Sequence, residues 1–307
     1  MAEPIERVAI FGTGLIGASI GLALRAHGFG GRIAGWDRSR TEADIARASG
    51  AIDAVIDNPF AAAEQSDCIL LATPVFGILE WIDRLGPAMR KGQLVTDVGS
   101  TKRTICERAA ASFASDSAFF LPGHPMAGKE VHGAAHADAN LFRGAVWLFT
   151  PVASDKGDRS SRAQQKSSAW REWVMRFGCR TLDLDPVRHD EICAWASHLP
   201  QMLGTALAAL LEDTFADAAT DPQNLNNKST QLRAIGGRAM HEMTRLGGSP
   251  FSMWRDIAHT NEEPIATAIL ALEQRLASLR ETLKQPELRE EMKCGALPPR
   301  PSLSENR

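Results

Sequence analysis

Three short stretches of this 307-residue chain carry residue types that could do chemistry. His124 lies in Pro122-Gly123-His124-Pro125-Met126-Ala127-Gly128. A backbone so dense in glycine and proline is stiff and specially shaped, so its imidazole is placed rather than free. With an ordinary pKa of about 6.5 such a group suits general acid–base work, and it reads equally as a hydrogen-bonded loop histidine. Gly12-Thr13-Gly14-Leu15-Ile16-Gly17 is a G-x-G-x-x-G turn, and Asp37 follows Gly17 by 20 residues. Gly12 permits a tight turn, Gly14 lets a pyrophosphate approach the backbone, and Gly17 lets helix pack on strand. Phosphates would sit on the free N–H groups at the helix start, around Leu15 and Ile16. Asp37 would accept from ribose hydroxyls and repel a 2′-phosphate, favouring NAD over NADP. Arg38 and Arg40 follow at once and soften that preference. The third stretch, Asp97-Val98-Gly99-Ser100-Thr101-Lys102, and the shorter Ala72-Thr73-Pro74-Val75 fall where strands should end at a cofactor crevice. Topology puts Ser100 near the nicotinamide, but Ser100 reads equally as the N-cap of a helix starting at Thr101.

The elements that must position these residues follow from hydrophobic pattern. Val8 to Phe11, Arg32 to Trp36, Cys68 to Ala72 and Leu94 to Val98 read as strands, alternating with helices over Leu15 to Ala26 and Val75 to Met89. Ser39 opens a further helix, with Glu42 completing a capping box and Gly50 closing it. Phe119 to Leu121 and Val146 to Thr150 should extend the same sheet, with Cys179 to Leu184 a last strand. Ser154 to Lys166 reads as a surface loop leading into a helix that carries Trp170 and Trp173. Asp185-Pro186 is a helix start, and the pattern beyond it is helical only: to about Leu211, then Leu225 to Leu246 and Glu262 to Lys284. Pro200 should kink the first of these by removing a bond to the Ala196 carbonyl. The expected fold is an α/β Rossmann-type N-terminal domain followed by an all-α C-terminal domain. The domains are 1–184 and 185–285, with a flexible tail at 286–307 that holds four prolines.

Composition limits the function classes. A net charge of −3 argues against a broad nucleic-acid or anionic-membrane footprint, and no run approaches a membrane span. Five cysteines without a C-x-x-C pair, and an N-terminus without a basic-then-apolar export signal, point to reduced thiols in a cytoplasmic protein.

Taken in order, the glycine loop, the Asp97–Lys102 stretch, Gly123-His124-Pro125-Met126-Ala127-Gly128, Ser197-His198-Leu199-Pro200, Thr244-Arg245 and Met253-Trp254-Arg255-Asp256-Ile257 resemble the prephenate/arogenate dehydrogenase family. The resemblance runs from about Arg7 to Lys284. It implies an NAD-dependent oxidative decarboxylation of a small-molecule substrate, prephenate or arogenate, by a homodimer formed through the helical domain. It implies His124 as the catalytic histidine and Ser100 as the serine that orients it. It further implies Arg245 as the arginine that binds a substrate carboxylate, Glu130 as an acidic residue at the active-site mouth, and Ser197, His198 and Trp254 around the pocket. Thr73 and Pro74 join Gly12, Gly14, Leu15, Ile16, Gly17, Asp37 and Arg38 as cofactor-binding positions. Gln201 stands where many members have histidine, which opens the choice between a pyruvyl and an alanyl side chain. Glu242 replaces the usual aspartate, and no further C-terminal regulatory domain is expected.

Other features read blandly. His132 and His136, four apart, could share a helix face, but without a third ligand no metal site is expected. Gly204, Ala206, Ala208 and Ala209 permit close helix approach, within one subunit or between two. Two other function classes compete with the family reading. One is a two-domain dehydrogenase of the β-hydroxyacid or imine-reductase kind, which would normally place a catalytic lysine or other residues in the helical half. The other is a nucleotide-binding sensor without catalysis, against which Ser100, His124 and Arg245 speak.

Overall fold

The structure is a computed structural model that describes residues 5–113, 118–151, 162–216, 227–249 and 251–283. The expectations for the 286–307 tail and for most of the Ser154–Lys166 loop lie outside those residues. Alternation of strand and helix builds a six-stranded parallel sheet in the order β3-β2-β1-β4-β5-β6. Its strands are β1 (Arg7–Phe11), β2 (Arg32–Trp36), β3 (Ala54–Val55), β4 (Cys68–Leu71), β5 (Leu94–Asp97) and β6 (Phe119–Leu121). Between them run α1 (Leu15–Ala26), α2 (Arg40–Ala48), α3 (Pro59–Gln65), α4 (Val75–Leu85) and α5 (Arg103–Ser112). β1 shows why the strands read as unbroken apolar runs. Val8 and Ile10 pack into the core on one face, and Ala9 and Phe11 into the core on the other. A parallel sheet covered on both faces requires this. The order reverses between β1 and β4, which opens a crevice at their carboxyl ends.

Two strands expected to extend this sheet do not join it. β7 (Gly123–Pro125), β8 (Val146–Phe149) and β9 (Arg180–Asp183) form a separate three-stranded sheet, with β7 antiparallel to β8 and β8 parallel to β9. Pro122 separates β6 from β7 and turns the chain out of the first sheet. The stretch around His124, read as a loop, is therefore a short strand, paired with Leu148. α6 (Arg162–Arg176) carries Trp170, which is fully buried with Trp147, Phe142 and Phe177.

Beyond Asp185 the described residues are helical: α7 (Pro186–Cys193), α8 (Leu199–Phe215), α9 (Lys228–Ile235), α10 (Arg238–Thr244), α11 (Phe251–Thr260) and α12 (Glu262–Thr282). Asp185 caps α7 as its sequence predicts, accepting from Val187 N and Arg188 N. Pro200 does not simply kink a continuous helix. A π-helical turn over Ala194–His198 separates α7 from α8 and widens the backbone just ahead of the proline. Such turns re-aim side chains and recur at functional sites. Side chains of this helical half cap two helices of the first. Asp190 accepts from Lys102 N and Arg103 N at the start of α5, and Asp256 accepts from Phe76 N at the start of α4. Among the described residues no helix is long and apolar enough to cross a membrane.

Candidate active site

The glycine turn after β1 has the geometry its spacing demands. Gly12 has φ +95°, and a Cβ there would meet Ala72 O at 2.4 Å, so only glycine lets β1 and β4 end side by side. Gly14 is the N-cap of α1 and offers no side-chain cap, and a Cβ on it would meet nothing within 4 Å. The first N–H groups of α1 are thus left without a side-chain cap, as a phosphate cradle requires. Asp37 ends beside this turn, its Oδ2 accepting from Thr13 N at 2.7 Å and its Oδ1 from Ser39 N at 2.8 Å. A carboxylate retains lone pairs beyond those two bonds, so it can still accept from a ribose. Arg38 is exposed, whereas Arg40 pairs with Asp57 and Asp44. Thr73 Oγ1, at the end of β4, is a buried hydroxyl without a partner, and Pro74 is the N-cap of α4. These residues fit a dinucleotide. The capping box at Ser39 is only half made: its hydroxyl accepts from Glu42 N, but Glu42 reaches Ala134 N instead of returning to Ser39.

His124 is buried, and it is the centre of a network the sequence reading did not find. Its Nδ1 lies 2.9 Å from His189 Nε2, and His189 Nδ1 lies 2.7 Å from Asp190 Oδ1. Cys193, one turn further along α7, brings its Sγ to 3.6 Å from His189 Nε2. Burial, and then the neighbouring His189, Lys102 and His198, hold the His124 imidazole well below the usual histidine pKa. Beneath it, Lys102 and Asp97 pair with both side chains fully buried. Lys102 Nζ also donates to Gly123 O at 2.8 Å, and Asp97 accepts from Gly99 N and Gly123 N. The ion pair thus clamps the end of β5 to the residue preceding His124. Ser100 is half-buried beside this clamp with no side-chain partner among the described residues. It is not an N-cap: α5 starts at Arg103 and takes its cap from Asp190.

On the helical side, the π-turn carries Ser197, half-buried, and His198, fully buried. Asn261 Nδ2 donates to Asp190 O at 2.9 Å, which fixes that atom as the nitrogen, and also to His198 Nδ1 at 3.1 Å. His198 is therefore a neutral ring with its hydrogen on Nε2, an atom that is buried without a partner. Burial pushes its pKa down to about 4. Trp254 packs edge-on against it at 5.9 Å between ring centres, with its own Nε1 also unpartnered.

Arg245 and Glu130 meet as an ion pair, joining the segment after β7 to the turn after α10, and Arg245 is about half exposed. Among the described residues no contact links this pair to His124, although Glu130 follows His124 by six residues. Gln201 is buried, but its amide is engaged by the protein. Nε2 donates to Leu246 O at 2.6 Å and Oε1 accepts from Ser249. It braces the turn that carries Arg245. His132 and His136 do not share a helix face: both are exposed, and only a single 3-10 turn, Ala134–His136, forms there.

The missed residues had a faint signal. His189 and Cys193 are one helical turn apart behind a strong N-cap, and Lys102 lies five residues from Asp97 within one stretch. Neither spacing names the partner.

Comparison with known proteins agrees with this arrangement. The profile of the nucleotide-binding domain of prephenate dehydrogenase matches residues 20–165, and that of the prephenate dehydrogenase dimerization domain matches residues 185–294. A prephenate dehydrogenase of Lactococcus lactis subsp. cremoris is 30% identical over 260 residues, covering 84% of this chain and 66% of its own. One of Bacillus subtilis is 29% identical over 266 residues, covering 86% of this chain and 67% of its own. The chain thus spans about two thirds of the length of these relatives. The crystal structure of prephenate dehydrogenase from A. aeolicus with hydroxyphenyl propionate and NAD+ superposes with a TM-score of 0.79 at 28% identity, covering 95% of this chain and 96% of that one. With both halves matched in order over most of the chain, it belongs to the prephenate/arogenate dehydrogenase family.

Proposed function

We propose that the protein is an NAD-dependent dehydrogenase that oxidatively decarboxylates prephenate to 4-hydroxyphenylpyruvate and accepts arogenate, which gives tyrosine. The observation that carries this reading is His124, buried and held neutral beside the carboxyl end of β5, as suits a general base. Bound at the glycine turn and Asp37, NAD+ supplies a hydride acceptor. Every other task falls to the chain. His124 accepts the proton of the ring hydroxyl as hydride leaves the carbon that bears it. The ketone so formed is an electron sink, carbon dioxide departs, and aromatisation drives the step. Arg245 holds a carboxylate through its fork of N–H donors, and leaves Glu130 to do so. His198 offers a neutral N–H toward a substrate oxygen, with Ser100, Ser197 and Trp254 lining the same space.

We divide the chain at Asp185, where the capped helix start follows the last strand. The exposed apolar residues Leu210, Ile235, Phe251, Leu270 and Leu276 on the helical half support a homodimer through that half. The four described cysteines, all free and buried, accord with the cytoplasm.

Reduced-nicotinamide absorbance, followed with prephenate, arogenate and each of NAD+ and NADP+, tests the reading. Turnover of prephenate with NAD+ is expected, and His124→Asn should lower kcat by about 10²–10⁴-fold while NAD+ binding holds. No turnover of either substrate would sink the assignment.

A further inference from the structure

The hydrogen positions around His124 can be deduced from one end of its network. Asp190 accepts two backbone amides, Lys102 N at Oδ1 (2.7 Å) and Arg103 N at Oδ2 (2.9 Å), and neither amide can do anything but donate. A carboxylate so held is an acceptor, so the hydrogen between Asp190 Oδ1 and His189 Nδ1 belongs to the histidine. A neutral His189 then has a lone pair on Nε2. His124 Nδ1, 2.9 Å away, must be the donor of that bond. Its own Nε2 is left with the lone pair. Isolated neutral histidine prefers the opposite arrangement, with the hydrogen on Nε2.

We propose that His189 and Asp190 are positioning residues that hold His124 in the tautomer whose Nε2 can accept a proton. The first helix beyond the sheets thereby sets the base, and the stretch that carries His124 supplies only its place. The proposal rests on the reading of His124 as the base, although the tautomer itself does not depend on turnover.

The step balances without a proton moving down the chain. The hydroxyl O–H bond breaks and an N–H bond forms at His124 Nε2. The new positive charge lies on the imidazolium, whose Nδ1–H still points at His189, backed by the charge of Asp190. Loss of carbon dioxide leaves its electron pair on the ring oxygen as a phenolate, and the proton returns from Nε2 to that oxygen to give the phenol. The other groups facing this pair favour the neutral resting state. Lys102 and His198 add positive potential, Asp97 is spent on Lys102, and burial pushes the Cys193 thiol up to about 12, so it brings no charge. Burial also lowers the His189 pKa against the pull of Asp190, which keeps that ring neutral. His124, His189 and Cys193 place three ligand-type atoms within 4.8 Å of one another. The deduced hydrogen on His124 Nδ1 accounts for their closeness without an ion.

Nitrogen NMR of the full chain carrying ¹⁵N-histidine, with and without NAD+, reads the tautomer directly. The expected result is His124 protonated at Nδ1 and bare at Nε2. In His189→Leu the ring should revert to the Nε2–H form and kcat should fall about 10²-fold with KM nearly unchanged. His189→Gln can return an acceptor oxygen to His124 Nδ1 and should restore most of the rate. Three results overturn the proposal: a wild-type His124 with its hydrogen on Nε2, equal losses in the Leu and Gln variants, or a loss confined to KM. A stoichiometric metal ion in the purified protein, lost together with activity on chelation, overturns it as well. If neither substrate turns over, the wild-type spectrum still decides the tautomer. It decides equally if His189→Leu fails to fold.

Discussion

Replacing Lys102 by methionine tests how the fold keeps His124 in place. Lys102 and Asp97 pair at 0% exposure of both side chains, and the ammonium also donates to Gly123 O. Methionine is close in length and volume, so little cavity opens. The loss is that of a buried carboxylate left without its cation, about 3–5 kcal/mol. Asp97 retains Gly99 N and Gly123 N as donors, which favours the lower end of that range. About 3 kcal/mol is roughly a 10²-fold change in the folding equilibrium. Urea unfolding followed by far-UV circular dichroism at one protein concentration would measure it. The double variant Lys102→Met with Asp97→Asn removes both charges and should recover most of the loss. Activity gives a second reading. Lys102 is among the positive groups that depress the His124 pKa, so its removal lets that pKa rise. The base must be neutral, so the acid limb of kcat/KM should move to higher pH. An unchanged urea midpoint, or a double variant no more stable than the single one, would refute the clamp. A limb that moves to lower pH would refute the electrostatic assignment.

Three further outcomes are expected. Asp37→Ser should narrow the preference for NAD+ over NADP+ in kcat/KM, since exposed Arg38 is free to meet a 2′-phosphate; an unchanged ratio would mean that the carboxylate does not face the ribose. His198 titrates at about 4 when folded against about 6.5 unfolded, so the unfolded chain takes the proton first and stability should fall as pH drops between those values, by up to about 3 kcal/mol. His198→Asn should flatten that loss in urea titrations at neutral and acid pH, and an equal loss in both proteins would count against it. Arg245→Ala should raise KM for prephenate and arogenate alike by about 10-fold, a modest effect because the arginine is half exposed. Gln201→His should do the same through the Leu246 turn, and a changed ratio between the two substrates would return side-chain selection to position 201.

The parallel sheet and its cofactor crevice were legible because each rests on local pattern. Apolar runs mark β1, β2, β4 and β5, and Gly12 and Gly17 mark the turn at which the backbones of β1, β4 and α1 meet. The second sheet was not legible, because β7 is three residues long and its partner Leu148 lies 24 residues on. No local signal told Val146–Phe149 which sheet to join. The same limit hid the network around His124. A histidine in a glycine- and proline-rich stretch announces that it is held, but the group that holds it comes from 65 residues away. Gln201 shows the limit from the other side. Its chemistry permits substrate recognition, and only the folded turn reveals that Leu246 and Ser249 already occupy its amide.

Asp190 shows how, on the proposed function, the helical half takes part in setting the base. A helix start leaves backbone N–H groups that need an acceptor. α5 starts with Lys102 as its N-cap, a residue that cannot accept, and Ser100 stands too early to serve. The acceptor must come from elsewhere, and α7 supplies it. Once Asp190 is committed to those amides it can only accept, which dictates the hydrogen on His189 and, through it, the lone pair on His124. A local need at the end of one helix is thereby converted into the protonation pattern of a base on the neighbouring sheet. The coupling runs both ways, because a shift of α7 that breaks the His189 contact must also uncap α5, the helix that follows the Lys102 clamp. Geometry of the proposed base and docking of the helical half are therefore linked, and any variant that loosens the α5–α7 contact should lose kcat before it loses cofactor binding at the glycine turn.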